Sequence, residues 1–272
     1  MTDRSKVSAF SHADYTIGSK RSSLFSPLGA FVLVIGMVAA FFLSQLVGVY
    51  LAGKWLLPTV KTMTVGDVFV FGGSNGTVVS VSIVISCLLI LLLSALILRL
   101  KSADVFQYLA FKPFSLAVGM QMLGLLILFM VGSQVLTYAL DKSPLVFVDP
   151  LYHSVSSVWL LVFAMVIVAP IYEELVFRGI LWTAIAEQFS TPKHLKRRSL
   201  NRARGALAAS MITSAIFAVM HLQYGIYEIG TIMVLALIFC YARFKSGSLV
   251  LPMLLHILNN GAAMWQYLSQ VS

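Results

Sequence analysis

Charged residues are scarce in this chain of 272 residues. Asp, Glu, Lys and Arg together make up 11%, against roughly 25% in a soluble globular domain. Acidic groups are the fewest, ten in all, and no formal charge falls between Arg21 and Lys54 or between Asp67 and Arg99. Water-soluble folds have too little buried volume to hide such stretches, so that class is excluded. Cysteine is nearly absent too. Cys87 and Cys240, the two present, both lie in apolar segments, which argues against a disulfide framework or a thiolate metal site and for buried thiols packing as small hydrophobes. A cleavable leader is not expected either, because the first apolar run, 26–53, has the length of a membrane span rather than of a signal-peptide core.

Apolar side chains dominate instead, at 59%. Their distribution predicts an all-α, polytopic transmembrane helical bundle of seven or eight helices. A polar N-terminal tail over 1–26 is expected to precede a single transmembrane domain over 27–267. Spans are expected near 27–52, 78–98 and 114–139, with a turn at Gly72, Gly73, Asn75 and Gly76 and Pro113 opening the third. Residues 156–189 are apolar but interrupted by Pro170, Glu173, Glu174 and Arg178, which predicts one long kinked helix or a crossing plus a half-helix. Further apolar segments follow near 207–222, 228–242 and 248–267, two of them shorter than the roughly 20 residues that cross a bilayer. Such short helices are tolerated where they face protein or a cavity.

The formal net charge of +9 raises the question of nucleic acid, but the placement of the basic residues points elsewhere. Lys193, Lys196, Arg197, Arg198, Arg202 and Arg204 crowd one segment, 190–206, between apolar stretches. That is the charge bias of cytoplasmic loops, and such a loop is drawn to anionic lipid. Lys and Arg counts alternate along the other loops in a way that fits a cytoplasmic N-terminus. The expected partners are a lipid bilayer and a peptide or protein substrate at the membrane, with no nucleic acid.

Ionisable side chains within a span cost about 2.5–3.5 kcal/mol each on insertion scales, and those that remain usually face an internal cavity and work. Three segments carry them. In Glu173-Glu174-Leu175-Val176-Phe177-Arg178-Gly179, Glu174 and Arg178 are four apart and can pair on one helix face. Glu173 is rotated by one residue and must become protonated or meet a partner from another helix; desolvation suits it to accept a proton near neutral pH. Pro170 opens the local backbone ladder. In the second segment Phe217 and His221 share a face, and in the third His256 and Asn260 do so. A carboxylate base, a histidine to orient water, and a second histidine with an amide where an oxyanion would form are the parts of a hydrolytic site that uses water directly. No Gly-x-Ser-x-Gly elbow or His-Glu-x-x-His motif is present, although a carboxylate and two histidines are also a recognised zinc set. Counted from the basic segment, His221 lies about 15 residues along its helix and His256 about 9 beyond the 243–247 turn, a difference in depth of about 9 Å.

Glu173, Glu174 and Arg178, then Phe217 and His221, then His256 and Asn260, in that order on separate helices, resemble the signature of the CPBP family of intramembrane proteases (CAAX protease and bacteriocin-processing, also called Abi). The resemblance covers about 155–265, the expected catalytic core. It implies an endopeptidase that hydrolyses a peptide bond of a membrane-associated or lipophilic peptide or protein. Glu173 would activate water, His221 would hold it, and His256 with Asn260 would stabilise the oxyanion. Glu174 and Arg178 would support the site beside Phe217. Whether the family's chemistry here uses no metal or one zinc, held by Glu173, His221 and His256, is left open by these motifs. An integral membrane position is expected, and the short loops without extra domains suggest a prokaryotic plasma membrane. Two other functions fit the same features: a non-enzymatic membrane scaffold or bacteriocin-immunity protein, and a proton-coupled transporter, although no paired helix interruptions appear in the two halves.

Overall fold

Inside a bilayer the backbone must satisfy its own hydrogen bonds, which leaves helices as the way to use such apolar runs. The computed structural model describes residues 23–57, 64–142, 147–190, 198–221 and 223–271. The expected polar tail lies outside the described residues up to residue 22, as do Lys193, Lys196 and Arg197 of the basic segment. Among the described residues there are ten helices and no strand. They are α1 (Pro27–Leu56), α2 (Val65–Ser74), α3 (Gly76–Leu100), α4 (Val105–Leu109) and α5 (Leu116–Ala139). There follow α6 (Val148–Ser154), α7 (Val158–Phe189), α8 (Arg198–Val219), α9 (Ile226–Ser246) and α10 (Val250–Val271). Five of them, α1, α3, α5, α7 and α9, are long and apolar enough to cross a membrane, while α8 and α10, at 22 residues each, are as long but more polar. The chain is a helical membrane bundle. The expected seven or eight helices correspond to the seven long ones; the short α2, α4 and α6 lie in segments expected as connections.

Local chemistry explains the boundaries. Ser26 caps α1 by accepting from the Gly29 N–H at 3.1 Å, with Pro27 in the first helical position. The glycine-rich turn expected at 72–76 narrows to one residue, Asn75, which ends α2 and caps α3 by accepting from the N–H groups of Thr77 and Val78. The loop expected over 190–206 is shorter than that. Helix α8 begins at Arg198 rather than near 207, so Arg202 and Arg204 sit exposed on its first turns. Arg, Ala and Leu all favour helix, and a long basic side chain reaches the polar headgroup region from a helix as readily as from a loop.

Residues 156–189 resolve to one helix, α7, with two π-helical stretches at Phe163–Val168 and Leu175–Leu181. It is the most buried of the five apolar spans and packs against α1, α3, α8, α9 and α10. The start of α1, the residues after α3, the end of α7, the start of α8 and the end of α9 meet at one end of the bundle, around one cavity lined by Ser23, Ser102, Lys112, Ser190, Arg202 and Arg243. Helix α10 begins at this end, where the Leu249 N–H donates to the Ala110 carbonyl at 3.0 Å. It finishes near α6, where the Tyr267 hydroxyl donates to Asp149 at 2.8 Å.

Helices α1 and α3 lie close because small residues face each other. Ser44, Gly48 and Ala52 form a buried row on α1, and the Ser86 hydroxyl of α3 donates to the Ser44 carbonyl at 3.0 Å. Small residues let helix backbones approach in a membrane. A Cβ on Gly48 would stand 2.7 Å from the Ser82 carbonyl oxygen, a backbone atom with no freedom to swing away. Replacing Gly48 with Leu should therefore destabilise the protein by about 1–3 kcal/mol, the usual cost of overpacking, read as a lowered unfolding midpoint in detergent. The same substitution at Gly36, where nothing lies within 4 Å, should leave the midpoint unchanged.

Candidate active site

The three polar segments meet at the middle of the bundle. Glu174 and Arg178, one turn apart on α7, are both fully buried, and Arg178 Nη1 donates to Glu174 Oε1 at 2.8 Å. His256 of α10 approaches the same carboxylate, its Nδ1 donating to Glu174 Oε1 at 2.9 Å. A carboxylate oxygen offers only lone pairs, so Nδ1 carries the proton and Nε2 is turned the other way. That nitrogen lies 3.7 Å from Glu173 Oε2, an ion-pair separation longer than a hydrogen bond. Glu173, expected to need a partner from another helix, meets His256; its own carboxylate is more exposed than Glu174's, at 13% against 0%.

Aromatic walls hold this cluster. The Arg178 guanidinium sits 4.7 Å from the Phe217 ring centre on α8 and 5.4 Å from that of Phe239 on α9. The His256 ring lies 6.0 Å from Phe217 and 4.8 Å from Phe239. Arg178 Nη2 also donates to the Ala236 carbonyl of α9 at 3.1 Å. Arginine is thus paired, hydrogen-bonded and stacked, which is what lets a buried ion pair persist.

His221 lies just beyond the end of α8. Its Nδ1 donates to the Phe217 carbonyl at 2.7 Å, which leaves Nε2 as the free lone pair of the neutral ring. Glu173 lies within electrostatic reach of both His221 and His256. The difference in depth expected between the histidines does not keep them from one cluster. Phe217 contacts both rings, its centre 4.7 Å from that of His221 and 6.0 Å from that of His256.

Asn260 follows His256 by one turn, and its Nδ2 donates to the Met165 carbonyl of α7 at 3.0 Å. The π-helical turn explains why that carbonyl is free. The Ala169 N–H reaches back five residues to Ala164, so in this register Met165 would receive the next N–H, that of residue 170, and Pro170 has none. One N–H of the Asn260 amide fills that vacancy. No hydrogen bond is made by the other among the described residues, and Asn259 donates to the Asn260 Oδ1 at 3.3 Å.

Two residues of the site were not singled out from the sequence. Tyr224 stacks on His221 with ring centres 6.2 Å apart and lies in the field of Glu173; its place three residues after His221 is a signal that could have marked it. Phe239 has no such signal, because only tertiary packing sets it against His256. The possible zinc set fares differently. No three His, Cys, Asp or Glu side chains among the described residues are arranged to hold a metal ion. In both histidines Nδ1 is engaged, by Glu174 in His256 and by the Phe217 carbonyl in His221, which is also how metal-ligating histidines are oriented.

Residues 155–262 match the model of the family described as Rce1-like, type II CAAX prenyl endopeptidase. An uncharacterized 24.3 kDa protein of Escherichia coli is 33% identical over 105 residues, which is 38% of this chain and 42% of that protein. The match therefore spans about two-fifths of the curated relative's length. No solved structure matches the chain.

The amide–carbonyl bond gives a specific expectation. Asn260→Ala strands a part-buried carbonyl and should cost about 1 kcal/mol of stability. Pro170→Ala supplies the missing N–H, so the same Asn260 substitution should cost measurably less in that background. A double-mutant cycle in unfolding free energy checks it, and purely additive effects would contradict the register described.

Proposed function

We propose that this chain, whose residues 155–262 match the model of the Rce1-like family of type II CAAX prenyl endopeptidases, hydrolyses a peptide bond within the membrane by means of a water molecule that Glu173 activates. The observation that carries this reading is the pairing of two unlike carboxylates around one imidazole. Glu174 is fully buried and committed to Arg178 and His256, while Glu173 is partly exposed and faces His256 Nε2 and His221. One glutamate is structural and the other is free for chemistry.

In this reading water sits between Glu173 and the His221 Nε2 lone pair. Glu173 takes its proton while the oxygen attacks the peptide carbonyl carbon. The negative charge that develops on the carbonyl oxygen is met by the spare N–H of Asn260 and by His256 in its imidazolium form, Nδ1–H held by Glu174 and Nε2–H turned to the oxyanion. When the tetrahedral species collapses, the C–N bond breaks and the proton held by Glu173 passes to the departing amine. Zinc, if held by Glu173, His221 and His256, would supply a Lewis acid for the same hydrolysis, although these three are not grouped as a metal set among the described residues. Tyr224 keeps His221 in place by stacking. The substrate is a membrane-associated or lipophilic peptide or protein, and the setting is a prokaryotic plasma membrane with the basic end of the bundle in the cytoplasm.

The test is cleavage of membrane-anchored peptides by the purified protein, with products read by mass spectrometry. Glu173→Gln should lower the rate at least ~10²-fold, the scale of a lost general base, at an unchanged unfolding midpoint. Tyr224→Phe should remain within about threefold of the parent and Tyr224→Ala should fall about 10-fold, as a lost aromatic pair predicts. Full activity of Glu173→Gln sinks the assignment. Activity lost to a zinc chelator and restored by zinc alone would instead make Glu173 a ligand.

A further inference from the structure

Away from Glu173 and His256, at the basic end of the bundle, lies a cavity of about 850 Å³ between α4, the ends of α7 and α9, and the start of α8. None of Glu173, His221, His256 or Asn260 lines it. We propose that this cavity is a binding site for a phosphate group, held by Lys112, Arg202 and Arg243. The inference is independent of the protease reading.

Three positive groups from three segments, Lys112, Arg202 and Arg243, line it against two carboxylates, Asp104 and Glu187. Arg243 is 94% removed from solvent, being 6% exposed; its Nε donates to the Arg178 carbonyl at 3.2 Å and its guanidinium lies 5.2 Å over the Trp182 ring. Arg202 lies near enough for the two charges to repel, and its guanidinium rests 5.7 Å from the Phe244 ring centre. No salt bridge among the described residues involves Lys112, Arg202 or Arg243.

Each of these carboxylates accepts a backbone N–H. Asp104 caps α4 by accepting from the Gln107 N–H at 2.7 Å, and Glu187 accepts from the Leu24 N–H at 3.1 Å. Two hydroxyls on the wall, Tyr108 Oη and Thr183 Oγ1, are buried with no partner among the described residues. Stranded hydroxyls beside mutually repelling guanidinium groups are costly in a site that stays empty. Both costs vanish when an oxyanion accepts from all of them, and phosphate suits the fork of arginine donors. A phosphate can arrive here on a lipid headgroup, given the end of the bundle at which the cavity opens, or free in solution. Arg243 also anchors the Arg178 backbone, so an anion here would bear on the segment that carries Glu174.

The experiment is thermal unfolding of the full-length protein in neutral detergent, titrated with phosphatidylglycerol, inorganic phosphate, or diacylglycerol of matching chains. A rise in midpoint with phosphatidylglycerol alone identifies a lipid headgroup, and a rise with both phosphate compounds identifies the phosphate group by itself; either supports the site. In the double variant Lys112→Gln, Arg202→Gln the half-saturating concentration should rise ~10-fold or more. Tyr108→Phe with Thr183→Val should weaken binding too, through lost donors and without a change of charge. An equal response to diacylglycerol, no response to either phosphate compound, or unaltered binding by both variants would overturn the proposal.

Discussion

A guanidinium with no access to water, paired to a carboxylate with none, governs the middle of this protein. Removing either partner would leave a bare charge among apolar side chains, at a cost of several kcal/mol. That penalty forces the surroundings to comply. Helix α9 must present the Ala236 carbonyl, α8 and α9 must each present a phenyl face, and α10 must bring His256 to the one Glu174 oxygen that also binds Arg178. Four helices are thereby fixed around one ion pair. The imidazole so held is the group that reaches Glu173, so orientation at the candidate site follows from the burial of its neighbour.

Helix α7 is where backbone irregularity serves this arrangement. Its two π-helical stretches flank the segment that carries Glu173 and Glu174. The first, with Pro170, releases the Met165 carbonyl to Asn260; near the second, the Arg178 carbonyl accepts from Arg243. Single π turns inside helices are often found at functional sites because they free main-chain groups for other partners. Here the freed groups tie α7 to α10 on one side and to α9 on the other. The helix thus joins the candidate active site to the basic end of the bundle through side chains that both regions share.

Lipid asks less of the remaining helices. Helix α5 buries little of its surface inside the bundle, and the exposed side chains along α1, α3 and α5 are mainly Leu, Ile, Val and Phe. These residues satisfy a solvent, not a partner. Contacts that do specify neighbours are small ones, such as the Ser44, Gly48 and Ala52 row against α3, in keeping with packing by close approach where burying apolar area yields no gain.

Hydrophobic runs, sparse charge and basic clusters made the membrane class and the long helices legible, since each depends only on what one residue costs in hydrocarbon. Helical spacing likewise paired Glu174 with Arg178, and His256 with Asn260, because i and i+4 always share a face. The order of the three motifs marked which helices had to meet. Their mutual placement was not legible: which carboxylate took His256, why Asn260 turned to Met165, how Phe239 and Tyr224 entered the site, and at what depth the two histidines came to rest. Those outcomes belong to contacts between helices far apart in the chain, and to a π register that a lone proline permits without dictating. Local cost is additive along a sequence, whereas the satisfaction of a buried donor or charge is settled only once every surrounding helix is in place.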